Sequence, residues 1–476
     1  MRDRERGWCE VPEVRTWQLT AGAAVAGLAL AAGAVAAAGP WDTGQRKAER
    51  EWAAARSIAG GAHHEDPGPK RPAPAPSAPG VLASLGAPTT KAAAGQTTPA
   101  DLARVLAPLL GDPGLGTART ASVIDVATGK QLYGKGAADP MTPASTTKIA
   151  TSTAALSALG PDHRIPTTVV ASKDGQELTL VGGGDATLET AGLRTLADRT
   201  ARALRERGVT TVRLAYDTSL YKGPGLHPIG PNRNIAPVSA LMVGEGRLDE
   251  RTTGAADRSG DPAGDAARAF GRLLDERGIN SAGAPAPGRP AAGAKPVAKV
   301  LSAPLSALVE RALTDSDNDI AEALARQTAL ATGEEASFAG AERAVTRQLT
   351  GLKLPLTGAR FADGSGLSRE DRLSAGLLTA LLARAADPAH PELRPVLTGL
   401  PVAGFSGTLQ ARYTETSPGT GLVRAKTGTL TGVNTLAGTV VAPDGRLLAF
   451  AFLAGNTPSR EGAQPALDRL AAALAS

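Results

Sequence analysis

The sequence predicts a mixed α/β fold of the α+β type, in which one antiparallel sheet is flanked by helices and interrupted by a smaller inserted domain. Two observations predict this fold. A β-hairpin pattern at residues 121–133 precedes a block of helices at 304–386, and strand patterns return at 421–453. Strands from both chain ends would then form one sheet, so the region 163–300 is expected to be the insertion.

Composition sets the broad class of the protein. The 476 residues are enough for two or three domains. Hydrophobic residues make up 42% of the chain and aromatic residues 3%, which indicates a core of Leu, Val and Ala. The net charge of +5, with no basic run interleaved with aromatics, argues against a nucleic-acid partner. A single cysteine, Cys9, excludes disulfides and cysteine metal sites.

The N-terminus has the pattern of an export signal. Four arginines fall within residues 1–15, and an uncharged run follows at 16–40. This run is long enough to span a bilayer, and small residues near its end could form a signal-peptidase site. We expect residues 1–15 to be cytoplasmic and 16–40 to be a signal anchor or a cleaved signal peptide, with the length favouring an anchor. The rest of the chain is then extracytoplasmic and touches the membrane through this segment only.

Residues 41–99 are rich in Pro, Ala and Gly, a composition typical of an extended linker that cannot bury a core. Globular patterning begins near residue 100, with a predicted helix at 101–110. The hairpin follows, with strands at 121–126 and 131–133 joined by a turn.

Ser145 and Lys148 open the next predicted helix, which starts after Pro143 and ends at Gly160. Three positions apart, the two side chains share one helix face. A serine hydroxyl becomes a good nucleophile when a base takes its proton, and a lysine amine can do so if its pKa is depressed. On its own this pair would sooner be interpreted as a polar helix face that meets solvent.

The predicted insertion has its own pattern of elements. Its strands and helix are expected at 167–171, 177–181, 193–207 and 209–215, with loops in the Gly- and Pro-rich stretches 251–263 and 282–296. The glycines at 182–184 are interpreted as a turn, because neither a dinucleotide fingerprint nor a Walker motif follows them. No cofactor is therefore expected. Asp185 either touches the substrate or caps backbone amides of a turn, and the turn interpretation is at least as well supported.

The C-terminal half alternates between helical and strand patterns. Helices are expected at 304–313, 319–332, 339–349, 374–386 and 465–475, and strands at 421–430, 434–441 and 447–453.

Two further stretches contain residues with possible chemistry. Residues 314–319 precede a helix and contain Ser316 and Asn318, and alone they would be interpreted as a helix cap. Residues 424–430 contain Lys426 in a candidate edge strand, where lysine ordinarily discourages aggregation.

Together and in this order, the three stretches resemble the Ser-x-x-Lys, Ser-x-Asn and Lys-Thr-Gly motifs of the penicillin-recognising serine acyltransferases. Residues 363–369 and 183–185 further resemble the low-molecular-mass class C penicillin-binding proteins, the D-alanyl-D-alanine carboxypeptidase/endopeptidases. The resemblance covers about residues 100–474. It implies a serine β-lactamase/penicillin-binding transpeptidase-like fold, with a catalytic domain at 100–162 and 301–476 around the insert 163–300.

Three features depart from the family pattern. Ala186 stands where proline usually follows Gly-Gly-Asp, and Asp371 stands where asparagine is expected. The 171 positions from Ser145 to Ser316 are fewer than usual, which indicates a trimmed insert.

The resemblance assigns roles in the reaction to five residues. Ser145 would be the acylated nucleophile and Lys148 its general base. Ser316 would relay a proton to the leaving D-alanine amine, and Asn318 would orient Lys148 and the substrate amide. Lys426 would depress the pKa of Lys148 by its positive charge.

It also assigns the binding residues. Lys426, Thr427 and Thr429 would bind the terminal carboxylate of the substrate, and Gly428 would let the substrate backbone lie close to the strand. The backbone N–H groups of Ser145 and Thr429 would form the oxyanion hole.

The expected partners are peptidoglycan stem peptides, with β-lactam antibiotics as covalent inhibitors, and no metal is expected. A β-lactamase of the same superfamily and a catalytically silent peptidoglycan-binding scaffold remain alternatives, although no clear Glu-x-x-x-Asn deacylation motif is found. A Ser-His-Asp hydrolase is poorly supported by five histidines and no Gly-x-Ser-x-Gly, and a metallopeptidase lacks His-Glu-x-x-His.

Overall fold

The computed structural model describes residues 98–476, and the structural statements below concern this part of the chain. No helix within it is both long and apolar enough to cross a membrane. The segment 16–40, predicted as a signal or anchor, and nearly all of the linker 41–99 lie outside the described residues.

The strands are β1 (Ala118–Asp125), β2 (Gln131–Lys135), β3 (Pro140–Met141), β4 (Pro166–Ala171), β5 (Glu177–Val181), β6 (Thr211–Asp217), β7 (Asn280–Ser281), β8 (Ala286–Pro287), β9 (Lys295–Leu301), β10 (Leu373–Ser374), β11 (Arg424–Leu430), β12 (Val433–Val441) and β13 (Leu447–Gly455). The helices are α1 (Pro99–Leu110), α2 (Thr147–Leu159), α3 (Thr190–Arg205), α4 (Pro262–Asp275), α5 (Leu305–Thr314), α6 (Asn318–Ala331), α7 (Phe338–Gly351), α8 (Ala375–Ala386), α9 (Pro395–Thr398) and α10 (Arg460–Ala472).

The central sheet joins both ends of the described chain. Its five antiparallel strands run in the order β11-β12-β13-β1-β2. Strand β1 pairs with β13 along its whole length, from Ala118 opposite Gly455 to Asp125 opposite Leu448. The prediction of one sheet built from the N-terminal hairpin and the C-terminal strands is confirmed, and β11 lies at one edge of it.

Helices cover both faces of this sheet, and β13 shows how the sequence arranges them. Its alternate side chains point to opposite faces. Phe450 and Phe452 belong to the core shared with α1 and α10, whereas the small Ala449 and Ala451 belong to the core shared with α2 and α8. Because alanines occupy the second face, helices can pack close to the sheet there.

Helix α2 is the central helix of the catalytic part and is buried on nearly all sides. Two of its threonines bond to backbone carbonyls: Thr151 donates to the carbonyl of Gly364 at 2.7 Å and Thr153 to that of Ile149 at 2.8 Å. A 3₁₀ turn, Ala144–Thr146, precedes it, and Gly160 ends it with φ +79°. The predicted helix between Pro143 and Gly160 is confirmed, with a tighter first turn.

The predicted insert, residues 163–300, contributes a second sheet with its own core. The strand order is β7-β6-β5-β4-β9, with β8 beside β6. Its boundaries as a domain stay a prediction. Helix α4 and strand β9 were not predicted, because the Gly- and Pro-rich stretches beside them favoured loops. The N-cap Asp261, with Pro262 in the first turn, marks the start of α4.

The last helix starts earlier than predicted. It begins at Arg460 and contains Pro465, which the sequence analysis took as its first residue. The reason is Ser459, whose hydroxyl accepts the backbone N–H of Gly462 at 3.1 Å and caps the helix.

Candidate active site

Ser145 lies in the 3₁₀ turn before α2 and lines a cleft of about 610 Å³. The carbonyl of Pro143 accepts the hydroxyls of Thr146 at 2.7 Å and Thr435 at 2.8 Å, so strand β12 fixes this turn. Ala144 has φ +49°, a left-handed conformation that strains a residue with a side chain. The candidate nucleophile is therefore held on rigid backbone.

Lys148 is fully buried behind Ser145. Its Nζ lies 3.0 Å from Ser145 Oγ, 2.7 Å from Asn318 Oδ1 and 2.7 Å from the carbonyl oxygen of Ser365. Three acceptors surround one amine, and they fix its direction toward the candidate nucleophile.

Burial lowers the pKa of Lys148 to about 8. Nearby carboxylates, that of Asp363 foremost, act in the opposite direction and keep the shift from being larger. The prediction assigned the lowered pKa of Lys148 to the positive charge of Lys426. The structure instead gives burial as the main cause, because no water solvates the charged amine.

Ser316 and Lys426 form a second serine–lysine pair in the same cleft. Lys426 Nζ donates to Ser316 Oγ at 2.8 Å and to the carbonyl oxygen of Thr427 at 2.7 Å. Burial, and then the positive charge of Lys148, hold the pKa of Lys426 well below its usual value. Ser316 has φ +59°, so its hydroxyl is presented from a strained turn.

The residue between Ser316 and Asn318 caps helix α6. Asp317 accepts the backbone N–H of Ile320 at 3.0 Å from the N-cap position. The helix-cap interpretation of this stretch is therefore confirmed for Asp317, while its neighbours on either side face the cleft.

Thr427 and Thr429 line the cleft from the edge strand β11. Thr427 Oγ1 lies 2.9 Å from Thr408 Oγ1, and Gln464 donates to Thr429 Oγ1 at 3.4 Å. These contacts orient two hydroxyls on the cleft side of the strand, where an anionic group can accept from them.

Gly428 has a reason to be glycine inside the protein. A Cβ at this position would overlap the hydroxyl of Thr435 and press on the carbonyl of Pro143, which holds the serine turn. Gly428 was predicted to make room for the substrate backbone. The direction of the absent side chain shows that it makes room for the turn that carries Ser145.

The structure brings all eight predicted site residues to one place, although their roles stay predictions. Five line the cleft: Ser145, Ser316, Asn318, Thr427 and Thr429. The other three lie directly behind them: Lys148, Lys426 and Gly428.

Two parts of the site were missed. The carbonyl of Ser365 is the third acceptor for Lys148, and its only signal was the 363–369 stretch noted as a family resemblance. Arg412 lines the cleft and is held by Asp468 through two contacts of 2.6 and 3.1 Å. No motif surrounds Arg412, so sequence reasoning had no signal for it.

Asp185, interpreted as a turn residue, accepts the backbone N–H of Thr187 at 2.8 Å and its hydroxyl at 2.7 Å. This confirms the turn interpretation. Asp371, which stands where the family has asparagine, is fully buried. Its carboxyl accepts the backbone N–H of Asp363 at 3.3 Å. Burial and the carboxylate of Asp363 raise the pKa of Asp371 well above its usual value.

Two buried clusters among the described residues bring three possible metal ligands together: His227, Glu322 and Asp363, and Glu245, Asp317 and Asp319. In the first cluster Glu322 accepts two backbone N–H groups, each at 3.0 Å. In the second, arginines pair with Glu245 at 2.8 Å and with Asp319 at 3.1 Å. Protein donors satisfy these acids only in part, because Glu322 Oε2 and Asp319 Oδ2 have no hydrogen-bond partner among the described residues.

The chain is similar to known carboxypeptidases over most of its length. Residues 102–258 and 249–474 match the family described as the D-Ala-D-Ala carboxypeptidase 3 (S13) family. Carboxypeptidase DacB of Mycolicibacterium smegmatis is 38% identical over 427 residues, covering 86% of this chain and 90% of that protein. A carboxypeptidase of Mycobacterium tuberculosis is 38% identical over 426 residues, covering 84% and 89%.

The fold also matches a solved structure. The crystal structure of penicillin binding protein 4 (dacB) from Haemophilus influenzae aligns with a TM-score of 0.65 and 22% identity, over 79% of this chain and 98% of the other. The predicted penicillin-binding fold is thereby confirmed.

Proposed function

This chain belongs to the D-Ala-D-Ala carboxypeptidase 3 (S13) family, and from that premise we propose that Ser145 is the nucleophile of its reaction. The protein is a serine-type D-alanyl-D-alanine carboxypeptidase. One observation carries the assignment of the nucleophile: Lys148, a buried amine with a lowered pKa, lies 3.0 Å from Ser145 Oγ, and Ser145 lines the cleft.

In the first step Lys148, neutral, takes the hydroxyl proton of Ser145. The freed Oγ attacks the carbonyl carbon between the two D-alanines and forms a new C–O bond. The backbone N–H groups of Ser145 and Thr429 stabilise the resulting oxyanion, a contribution of about 3 kcal/mol per donor in comparable enzymes. The 2.7 Å contact to Asn318 supports this role of Lys148, because it aims the amine.

In the second step the C–N bond to the terminal D-alanine breaks. The proton that Lys148 took from Ser145 passes to the leaving amine through Ser316, whose hydroxyl Lys426 holds at 2.8 Å, so both lysines end the step with the charge they began with. An ester on Ser145 remains. Water then attacks this acyl-enzyme, the C–O bond breaks and the hydroxyl is restored; an amine acceptor in place of water would give transpeptidation.

The terminal carboxylate binds beside Lys426, Thr427 and Thr429. Two hydroxyls on the cleft wall and the amine of Lys426 directly behind them support this placement. A charged hydrogen bond to a carboxylate is stronger than a neutral one, which favours substrates that end in a free carboxylate.

The wider setting is also a proposal. The substrate is the stem peptide of peptidoglycan, from which the enzyme removes D-alanine or whose cross-links it cleaves. β-Lactams would acylate Ser145, because their strained amide and carboxylate imitate the dipeptide end. Such a substrate requires an extracytoplasmic location, with the segment 16–40 as a secretion signal or an anchor.

Release of D-alanine from a synthetic peptide ending in D-Ala-D-Ala tests the proposal. Wild type should release D-alanine, and Ser145→Ala should release none. Ser152→Ala, at a buried serine of the following helix α2, is the matched control and should behave as wild type. Release by Ser145→Ala at the wild-type rate would overturn the assignment of the nucleophile.

A further inference from the structure

A short segment of the insert touches the machinery around Lys148 from two directions. Residues 227–236, called the strap below, leave the insert and lie against helix α6 and the loop 363–368. Each of these two elements supplies one of the acceptors for the Lys148 amine, Asn318 Oδ1 or the carbonyl of Ser365.

The first contact fixes the side-chain amide of Asn318. Its Nδ2 donates to the backbone carbonyl of Asn234 in the strap at 2.9 Å. An amide has one donor end and one acceptor end, so this bond leaves Oδ1 facing Lys148. Two residues further on, the N–H of Ala236 donates to Asp319 at 2.9 Å and holds the same turn of α6.

The second contact is made by His227, a buried histidine with no role in the proposed chemistry. Its Nε2 lies 2.9 Å from Asp363 Oδ2, and both side chains are 1% exposed. Its Nδ1 accepts the backbone N–H of Ile229 at 3.3 Å. Nδ1 is therefore the acceptor, and Nε2 carries the proton that is donated to Asp363.

Asp363 transmits this contact to the loop that holds Lys148. Its carboxylate accepts the N–H groups of Gly366 at 2.6 Å and Ser368 at 2.7 Å, and it lies 3.2 Å from the hydroxyl of Ser365. The carbonyl of Ser365 then accepts Lys148 Nζ at 2.7 Å. A carboxylate with several donors fixes the loop only while its own orientation is fixed.

We propose that the strap is a positioning element for Lys148 and that His227 is its decisive side chain. The insert thus has a part in the acylation step that does not require it to touch the substrate. This inference rests on the proposed role of Lys148 as the base. A buried His–Asp pair that merely stabilised the fold would leave the chemical step unchanged.

The test compares two replacements of His227 in the full chain. Glutamine reaches as far as Nε2 and keeps a donor for Asp363, whereas leucine fills the space without one. Acylation by benzylpenicillin, resolved into an initial binding constant and a chemical rate, is the readout. His227→Leu should lower the chemical rate on the order of ten- to a hundred-fold with the binding constant unchanged. His227→Gln should restore it to within about three-fold of wild type.

A third variant keeps the test decisive if the leucine variant folds poorly. Asparagine at position 227 reaches only as far as Nδ1, so it can accept from Ile229 but cannot donate to Asp363. The chemical rate of acylation should therefore be low for His227→Asn and close to wild type for His227→Gln, although both new side chains are polar. Equal chemical rates for His227→Asn and His227→Gln would overturn the proposal.

Two controls separate positioning from stability. His390 lies 3.0 Å from Glu392 with both side chains about one-third exposed, and His390→Leu should not change acylation. Phe270→Leu weakens the core of the insert away from the strap and should lower the melting temperature with little effect on the chemical rate. The proposal is wrong if Phe270→Leu slows acylation as much as His227→Leu. If wild type itself is not acylated, the proposed function fails instead.

Discussion

The amine of Lys148 meets the hydroxyl of Ser145 across 3.0 Å from a position that water does not reach. Burial lowers the pKa of Lys148 to about 8. At pH 7 about one molecule in ten then carries the neutral amine that can accept a proton, against about one in three thousand at the ordinary pKa. This relationship turns an unreactive serine into a candidate nucleophile.

Acylation should therefore depend on pH. Since the neutral form of Lys148 is the base, the second-order rate constant for benzylpenicillin should rise about ten-fold from pH 7 to pH 9 and level off above it. Stopped-flow or quenched-time measurements across this range give the profile. A rate constant that stays flat between pH 7 and pH 9 would show that another group is the base.

Replacing the base should nearly abolish acylation. Lys148→Met keeps a long unbranched side chain but removes the amine, and the acylation rate should fall about 10²- to 10⁴-fold. The exposed Lys130 provides the control, because Lys130→Met should leave the rate at the wild-type value. An active Lys148→Met enzyme would contradict the account.

Ser316→Ala should slow D-alanine release by about 10²-fold, mainly through kcat. The substitution removes the hydroxyl that Lys426 contacts at 2.8 Å, so the leaving amine loses its proton donor. The KM should change little, since the cleft wall of Thr427 and Thr429 is intact. Steady-state kinetics on a D-Ala-D-Ala peptide check this, and a variant within two-fold of the wild-type kcat would exclude the relay.

Ser152→Ala should stabilise the protein. The hydroxyl of Ser152 is buried in α2 with no hydrogen-bond partner among the described residues. Removing it ends an uncompensated burial and improves helix propensity, together about 0.5–1 kcal/mol of unfolding free energy. Urea denaturation measures the change, and a loss of stability would mean that the hydroxyl has a partner.

Asp371→Asn should gain stability relative to wild type as the pH rises. The pKa of Asp371 is raised by burial and by Asp363, so its folded form holds a proton that the unfolded chain releases. The stability that this carboxyl contributes is present at low pH and is lost as the pH rises through the folded pKa. An amide does not titrate.

The difference in melting temperature between Asp371→Asn and wild type should therefore grow in favour of the variant from pH 5 to pH 8. A difference that is the same at both pH values would show that Asp371 is ionised in the folded protein.

The sequence predicts much of the fold because its signals are local. The hairpin at 121–133, the C-terminal strands and the helix after Ser145 each carry their own periodicity and capping residues. Helix α4 was missed because nearby glycines and prolines outweighed its capping signal at Asp261. Its apolar residues at 266, 270 and 274 were present in the sequence and pointed to a helix.

The candidate site divides in the same way. Ser145, Lys148, Ser316 and Lys426 lie in short motifs with recognisable spacing, whereas their supports come from distant segments. The carbonyl that accepts Lys148 is 217 positions away, and the partner of His227 is 136 positions away. A backbone carbonyl has no side-chain signature, so the sequence around Ser365 does not indicate a contact with Lys148. The sequence around His227 likewise does not indicate its pairing with Asp363.

Intact-protein mass spectrometry of the full chain with benzylpenicillin tests the central claim most directly. Wild type should gain the mass of one penicilloyl group, and Ser145→Ala should gain none. Rapid turnover of penicillin without a lasting adduct would favour the β-lactamase alternative. A folded wild type with neither adduct nor turnover, or an adduct that persists in Ser145→Ala, would contradict the assignment of Ser145 as the nucleophile.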